Sequence, residues 1–178
     1  MKKLKMDELN RVSIEEFKKQ EKIPLIIVLD NIRSLNNIGS AFRTADAFSV
    51  SAIYLCGITG TPPHNEIHKT ALGATDSVEW KYFNSTGEAI DCLKSDGFLV
   101  YAVEQTSGSI MLHEFNPDLN LKNAFIFGNE VNGVEEKLLE KVDGVIEIPQ
   151  FGTKHSLNIS VSVGILIWHY ILKLIKKD

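Results

Sequence analysis

The sequence predicts an α/β fold, a mostly parallel sheet flanked by helices, on three observations. Short runs rich in β-branched and aromatic residues recur along the chain. Helical patterns separate most of them. No internal repeat, low-complexity tract or Pro/Gly-rich linker cuts the 178 residues into two. With 44% hydrophobic and 24% charged residues, the chain has the composition of a soluble domain able to bury one sizeable core.

The elements follow in order. A helix is expected over residues 7–21, inside the segment MKKLKMDELNRVSIEEFKKQEK. That segment has mixed charges and no apolar stretch, so it is not a secretory signal. We read residues 1–22 as a basic helical extension and residues 23–178 as the domain proper. Strands are expected at LIIVLD (25–30), AIYLCG (52–57), SVEWKYF (77–83), FLVYAVE (98–104), AFIFG (124–128) and GVIEIP (144–149). Helices are expected at 36–48, 63–72, 85–95, 134–141 and 156–176. The longest apolar runs, 23–29 and 161–175, fall short of the roughly 20 residues of a membrane span, which points to a soluble, cytoplasmic protein with no membrane partner. Cys56 and Cys92 stand alone in apolar stretches without CxxC spacing, as reduced core thiols do.

The net charge of −4 excludes a global basic field. Cations are nonetheless concentrated at the two ends: Lys2, Lys3, Lys5, Arg11, Lys18, Lys19 and Lys22 at the start, and Lys173, Lys176 and Lys177 at the finish. Either cluster can be no more than a solvated helix face.

In sheets of this kind ligands bind beyond the carboxyl ends of the strands. Three loops there carry more polar chemistry than connectors need. After the first strand comes DNIRSLNNIGSAFRTADAF, in which Asn37 and Arg43 lie six residues apart on one helix. Asn37 can be a cap and Arg43 a surface residue. Yet Arg43 stands among Ala41, Phe42, Ala45, Ala47 and Phe48, and an arginine in that setting is expected to have a buried partner or an anionic ligand. After the fifth strand, Glu130 follows Gly128 and Asn129; by itself it reads as a helix-start carboxylate. After the sixth, Ser156 and Asn158 open the last helix, with Ser156 the expected N-cap.

Together the three loops resemble the three motifs of the SpoU branch of the SPOUT RNA methyltransferases, enzymes that methylate ribose 2′-hydroxyls of tRNA or rRNA. The first motif is matched by NNIGSAFRTADAF through Asn37, Gly39 and Arg43. FIFGNEVNGV matches the second through Gly128, Glu130 and Gly133, and IEIPQFGTKHSLNISVSVGI the third through Ile148, Pro149, Ser156, Leu157 and Asn158. HKTALGA (68–74) looks like the intervening helix. The match runs from residue 25 to about 170. Ser49 stands where a glycine commonly closes the first motif, and Gln150 where methionine usually follows the proline.

The resemblance implies a carboxy-terminal trefoil knot, which topology rules alone would not suggest. It implies an S-adenosylmethionine site lined by Gly128, Ile148 and Leu157, with Glu104 a further member. It implies that Arg43 acts at the ribose with Asn37, Glu130, Ser156 and Asn158 orienting the groups around it, and that no metal takes part. Arginine is too weak an acid to serve as a base, so the expected role of Arg43 is to bind phosphate and ribose and stabilise developing oxyanion character, with Glu130 as its ionic partner. The family is homodimeric, and the apolar last helix suits a subunit interface. A neighbour's Lys-rich amino-terminal arm would then supply RNA affinity.

Other readings stand beside this one. His64 and His68 at i, i+4 suggest a metal hydrolase, but the zincin pattern wants a glutamate directly after the first histidine, and here it is Glu66. A nicotinamide dehydrogenase would show G-x-G-x-x-G after the first strand, which is missing. A noncatalytic RNA-binding module on the same fold is the principal alternative, disfavoured by the intact set of Arg43, Glu130, Ser156 and Asn158.

Overall fold

Six consecutive buried residues, Leu25 to Asp30, leave the first strand, β1 (Ile23–Asp30), no face for solvent. A strand covered on both sides belongs inside a sheet, and β1 is third of seven. The structure, a computed structural model, describes residues 1–5, 8 and 12–175. The remaining strands are β2 (Val50–Cys56), β3 (Glu79–Phe83), β4 (Phe98–Val103), β5 (Ile110–Met111), β6 (Lys122–Phe127) and β7 (Gly144–Glu147). Their order is β3-β2-β1-β6-β4-β7-β5, with every strand pairing parallel.

Helices α1 (Ile14–Lys19), α2 (Leu35–Ala47), α3 (Asn65–Ala71), α4 (Ala74–Ser77), α5 (Thr86–Ser95), α6 (Glu136–Leu139) and α7 (Ile159–Ile175) flank it. Alternation along β1 feeds two cores. Leu25, Ile27 and Leu29 pack with Ile38 and Phe42 of α2 and Val163 and Ile167 of α7. Ile26 and Val28 pack on the other face with Ile90 and Leu93 of α5 and Leu138 of α6. Both cysteines are free, and burial pushes the Cys56 thiol up to about 12, leaving it an inert core group.

All six expected strands form, with ends shifted by a few residues. The two-residue β5 is too short to show a pattern and exists only as an edge on β7. The helix expected over 7–21 is Ile14–Lys19, with residues 7 and 9–11, including Arg11, outside the described residues. A capping box sets its start: Ser13 Oγ accepts from the Glu16 N–H, and Glu16 accepts from the Ser13 N–H at 2.9 Å. The helix expected over 134–141 shrinks to the single turn of α6. The last one begins at Ile159, not 156, and residues 176–178, with Lys176 and Lys177, lie outside the described residues.

Two details bear on the site. Gly39 lets α2 rest on α3: a Cβ there would lie 2.1 Å from Thr70 Oγ1 and 2.3 Å from the Ile67 carbonyl oxygen. Ser49, after α2, has φ of 52°, the left-handed conformation in which glycine is at ease. The strand order then decides where chemistry collects. Because β1, β6, β4 and β7 are successive neighbours, the loops leaving their carboxyl ends adjoin, although bonded residues in them lie as much as 121 positions apart in the chain.

Candidate functional site

Beyond the carboxyl ends of β4, β6 and β7 lies a cavity of about 820 Å³. Glu104, Gly128, Ile148 and Leu157 line it, as do Glu130, Ser156 and Asn158. Asn37 and Arg43 are not in its wall.

Its floor is a tight hairpin. After β6 the chain turns at Gly128, and Asn129 and Gly133 exchange backbone hydrogen bonds of 3.1 and 2.9 Å. The returning strand passes so close that a Cβ on Gly128 would lie 2.2 Å from the Gly133 carbonyl carbon, so no other residue fits without moving backbone. Glu104, just past β4, braces the far side. Its two oxygens accept from the Val134 N–H at 3.0 Å and the Gln105 N–H at 2.8 Å. Asn129 Nδ2 donates to the Asn31 carbonyl at 2.7 Å, while its Oδ1 accepts from the Val131 and Asn132 N–H groups. The hairpin is thereby tied to the loop after β1.

Glu130 reaches across to the amino end of α2. Its Oε2 accepts from the Arg33 N–H at 3.1 Å, and its Oε1 from the Ser34 N–H at 3.2 Å and from Asn37 Nδ2 at 3.4 Å. A carboxylate there also meets the positive end of the helix dipole. Partial burial pushes its pKa up, but the N–H groups of Arg33, of Glu130 itself and of Ser34, with the Asn37 amide, outweigh that. Glu130 is held below the ordinary carboxylate value. Asn37 passes the connection on, its Oδ1 accepting from Asn158 Nδ2 at 3.2 Å. Asn158 opens α7: its Oδ1 accepts from the Ser160 N–H at 2.9 Å, and its carbonyl from the Val161 and Ser162 N–H groups. Glu130, Asn37 and Asn158 thus form one hydrogen-bonded chain through all three loops.

Three expectations are corrected. Asn37 is not the cap of α2; Ser34 is, accepting from the Asn37 N–H at 3.3 Å. Ser156 does not cap the last helix, because α7 starts three residues later and Asn158 does so. Glu130 is not the ionic partner of Arg43, since its oxygens serve the start of α2. Arg43 is exposed and makes no hydrogen bond or ion pair among the described residues. Each helical residue turns about 100° from the last. Ile38, Ala41, Phe42 and Ala45 therefore face the core while Arg43 and Ala47 look outward.

His64 and His68 have an ordinary explanation. His64 Nδ1 accepts from the Glu66 N–H at 3.2 Å as the cap of α3, and Glu66 pairs with Lys69 at 2.5 Å. Among the described residues no group of three or more His, Cys, Asp or Glu is placed to hold a metal ion. Ser34, Asn129 and Gln105, whose Nε2 donates to the His155 carbonyl at 3.0 Å, were not singled out from sequence. Ser34 was legible as an N-cap signal and Asn129 as a turn residue. Gln105 carried no local signal.

Comparison with known proteins gives the following. A family profile described as the SpoU rRNA Methylase family matches residues 24–168. An uncharacterized tRNA/rRNA methyltransferase of Borreliella burgdorferi is 34% identical over 155 residues, 87% of this chain and 66% of that protein. The tRNA (guanosine(18)-2′-O)-methyltransferase of Thermus thermophilus is 31% identical over 161 residues, 90% of this chain and 81% of that one. Among solved structures, an AdoMet-bound rRNA methyltransferase from Sinorhizobium meliloti superposes with a TM-score of 0.79 at 25% identity, over 89% of this chain and 60% of that chain. The chain therefore spans 66% of the length of the first relative and 60% of the solved chain, less than two thirds of each.

Proposed function

The chain belongs to the SpoU rRNA methylase family, and from that premise we propose that it methylates a ribose 2′-hydroxyl of tRNA or rRNA, using S-adenosylmethionine. The observation that carries the reading is the chain Glu130–Asn37–Asn158, which couples all three loops beside one cavity.

The cavity suits the cofactor in size and in lining. Its volume is in the range of small-molecule sites, and it offers apolar walls from Ile148 and Leu157 beside the close-packed backbone at Gly128. Gly128, Ile148 and Leu157 would hold the cofactor, with Glu104 shaping the pocket by bracing the hairpin. S-adenosylmethionine, when bound, supplies a methyl group on a sulfonium centre whose positive charge is lost on transfer. What remains for the protein is alignment and charge stabilisation. Arg43, exposed and without a partner among the described residues, is available to take a phosphate and ribose through its planar fork and to stabilise the oxygen as it gains negative charge. Ser156 and Asn158 orient the ribose and the methionine end of the cofactor, and Asn37 and Glu130 keep Asn158 and the start of α2 in register. Titration with S-adenosylmethionine tests the reading; a chain that binds none is not this enzyme.

Val161, Ile165 and Trp168 are exposed at i, i+4, i+7 along α7, an apolar stripe that a second copy would cover in a homodimer. Sedimentation velocity checks this, a mass of one chain counting against it. The domain spans residues 23–178, and its carboxyl-terminal segment closes a trefoil knot, which an experimental trace of residues 128–175 would test. Residues 1–22 form a basic arm that adds salt-dependent RNA affinity; their removal should lower the dependence of RNA binding on salt. No helix among the described residues is long and apolar enough to cross a membrane, in keeping with a cytoplasmic site of action that cell fractionation can check.

A further inference from the structure

Phe151 is 97% exposed, more than any other large apolar side chain among the described residues except Met1. It sits in the loop after β7, one residue past Gln150 and before His155 and Ser156, all three of which line the cavity. Phe151 itself is not in the cavity wall, so its ring faces solvent from the rim and not the cofactor space. Residues 151–158 are all exposed, and the Gln105 bond to the His155 carbonyl anchors the loop. Lys154, three residues on, is exposed and forms no ion pair among the described residues. Arg43, on α2, likewise forms no ion pair among the described residues. An unburied aromatic face sharing one exposed loop with the Lys154 cation is the combination that suits a ligand with a flat π surface and a negatively charged backbone.

We propose that Phe151 is a stacking platform for a base of the substrate RNA next to the methylated ribose. This rests on the methyltransferase reading above. Phe151 sets RNA affinity and the seating of the ribose without contacting the methyl donor.

The test compares Phe151→Ala, Phe151→Leu and Phe151→Trp in radiolabelled methyl transfer from S-adenosylmethionine to total RNA from a strain lacking the gene. Stacking predicts that Ala and Leu raise KM for RNA about tenfold or more, within the usual worth of a base–aromatic contact. Trp keeps it within about twofold, and KM for S-adenosylmethionine stays unchanged in all three. A Leu variant as good as the wild type overturns the proposal, since that leaves only an apolar contact. So does an Ala variant with unchanged KM, or a Trp variant as poor as Leu. A fall in cofactor affinity would put Phe151 in the donor pocket, and a change in sedimenting mass would make it a subunit contact; either overturns it. Should the wild-type chain bind no S-adenosylmethionine, the methyltransferase reading fails separately, and filter binding of the same RNA to the same variants decides the stacking claim.

Discussion

The amino end of α2 and the loop from Phe151 to Leu157 belong to one site and differ in how their polar groups are spent. At α2 the N–H groups of Arg33 and Ser34 are taken by Glu130, that of Asn37 by Ser34, and the Asn37 side chain by Glu130 and Asn158. Along the loop every residue is exposed, and the tie recorded there is Gln105 to the His155 carbonyl. The first region is a frame whose groups already have partners. The second, with Arg43, is an exposed surface whose side chains, Lys154 and Arg43 among them, form no ion pair among the described residues. Residues of one motif can therefore be placed oppositely: Asn37 ties loops together, while Arg43, six residues on, is exposed and has no hydrogen bond or ion pair among the described residues.

Substitutions can break that division. The largest effect is expected at Arg43. Arg43→Ala should cut methyl transfer by about 10²- to 10³-fold, the usual cost of losing a charge-stabilising donor. Unfolding free energy should stay within about 0.5 kcal/mol, because the side chain has no partner among the described residues. Cofactor affinity should hold too. A collapse of cofactor binding or of stability in this variant would move Arg43 into the frame.

Next in size is Gly39→Ala. Alanine favours helix by about 1 kcal/mol, but the new Cβ meets the Ile67 carbonyl oxygen at 2.3 Å, which is backbone and cannot swing away. We expect a net loss of about 2 kcal/mol, read as a lower denaturation midpoint at unchanged m-value. Stability equal to wild type would mean that α2 and α3 are free to separate.

The smallest effect is expected at Glu130. Its folded-state pKa lies below the unfolded value, so its contribution is complete above the unfolded carboxylate pKa and is lost as pH falls through the folded one. The group is exposed, so screening keeps that contribution to about 1 kcal/mol or less. Glu130→Gln should show a shallower loss of stability than wild type between about pH 5 and pH 3. Identical acid profiles would show that Glu130 does not brace the start of α2 in solution.

Much of this is legible in the sequence. The apolar runs located all six longer strands, and the polar loops at three strand ends flagged Asn37, Glu130, Ser156 and Asn158. The outward face of Arg43 was legible as well: Ile38, Ala41, Phe42 and Ala45 follow i, i+3, i+4, i+7, and position 43 falls off that stripe. The apolar neighbours of Arg43 in the chain allow a buried partner or an anionic ligand; around the helix they lie on the opposite side, and no buried ion pair of Arg43 exists among the described residues. The capping box at Ser13 and Glu16 likewise marked the start of α1 at Ile14. Gly128 is different. Its need for a bare Cα comes from the backbone of Gly133 and Val134 returning past it, a closeness that a glycine in a loop signals only loosely.

The α/β class, the six longer strands, the approximate places of the main helices and the residue types at each strand end are written in the local sequence, because periodicity, caps and turn chemistry act over a few residues. Which of those residues hold one another, and which have no partner among the described residues, depends on how the strands are ordered in space. That choice follows from the order β1-β6-β4-β7, set by burying whole faces of the sheet. It brings the carboxylate of Glu130 to the N–H groups of Arg33 and Ser34 across nearly a hundred residues, and leaves the guanidinium of Arg43 without it.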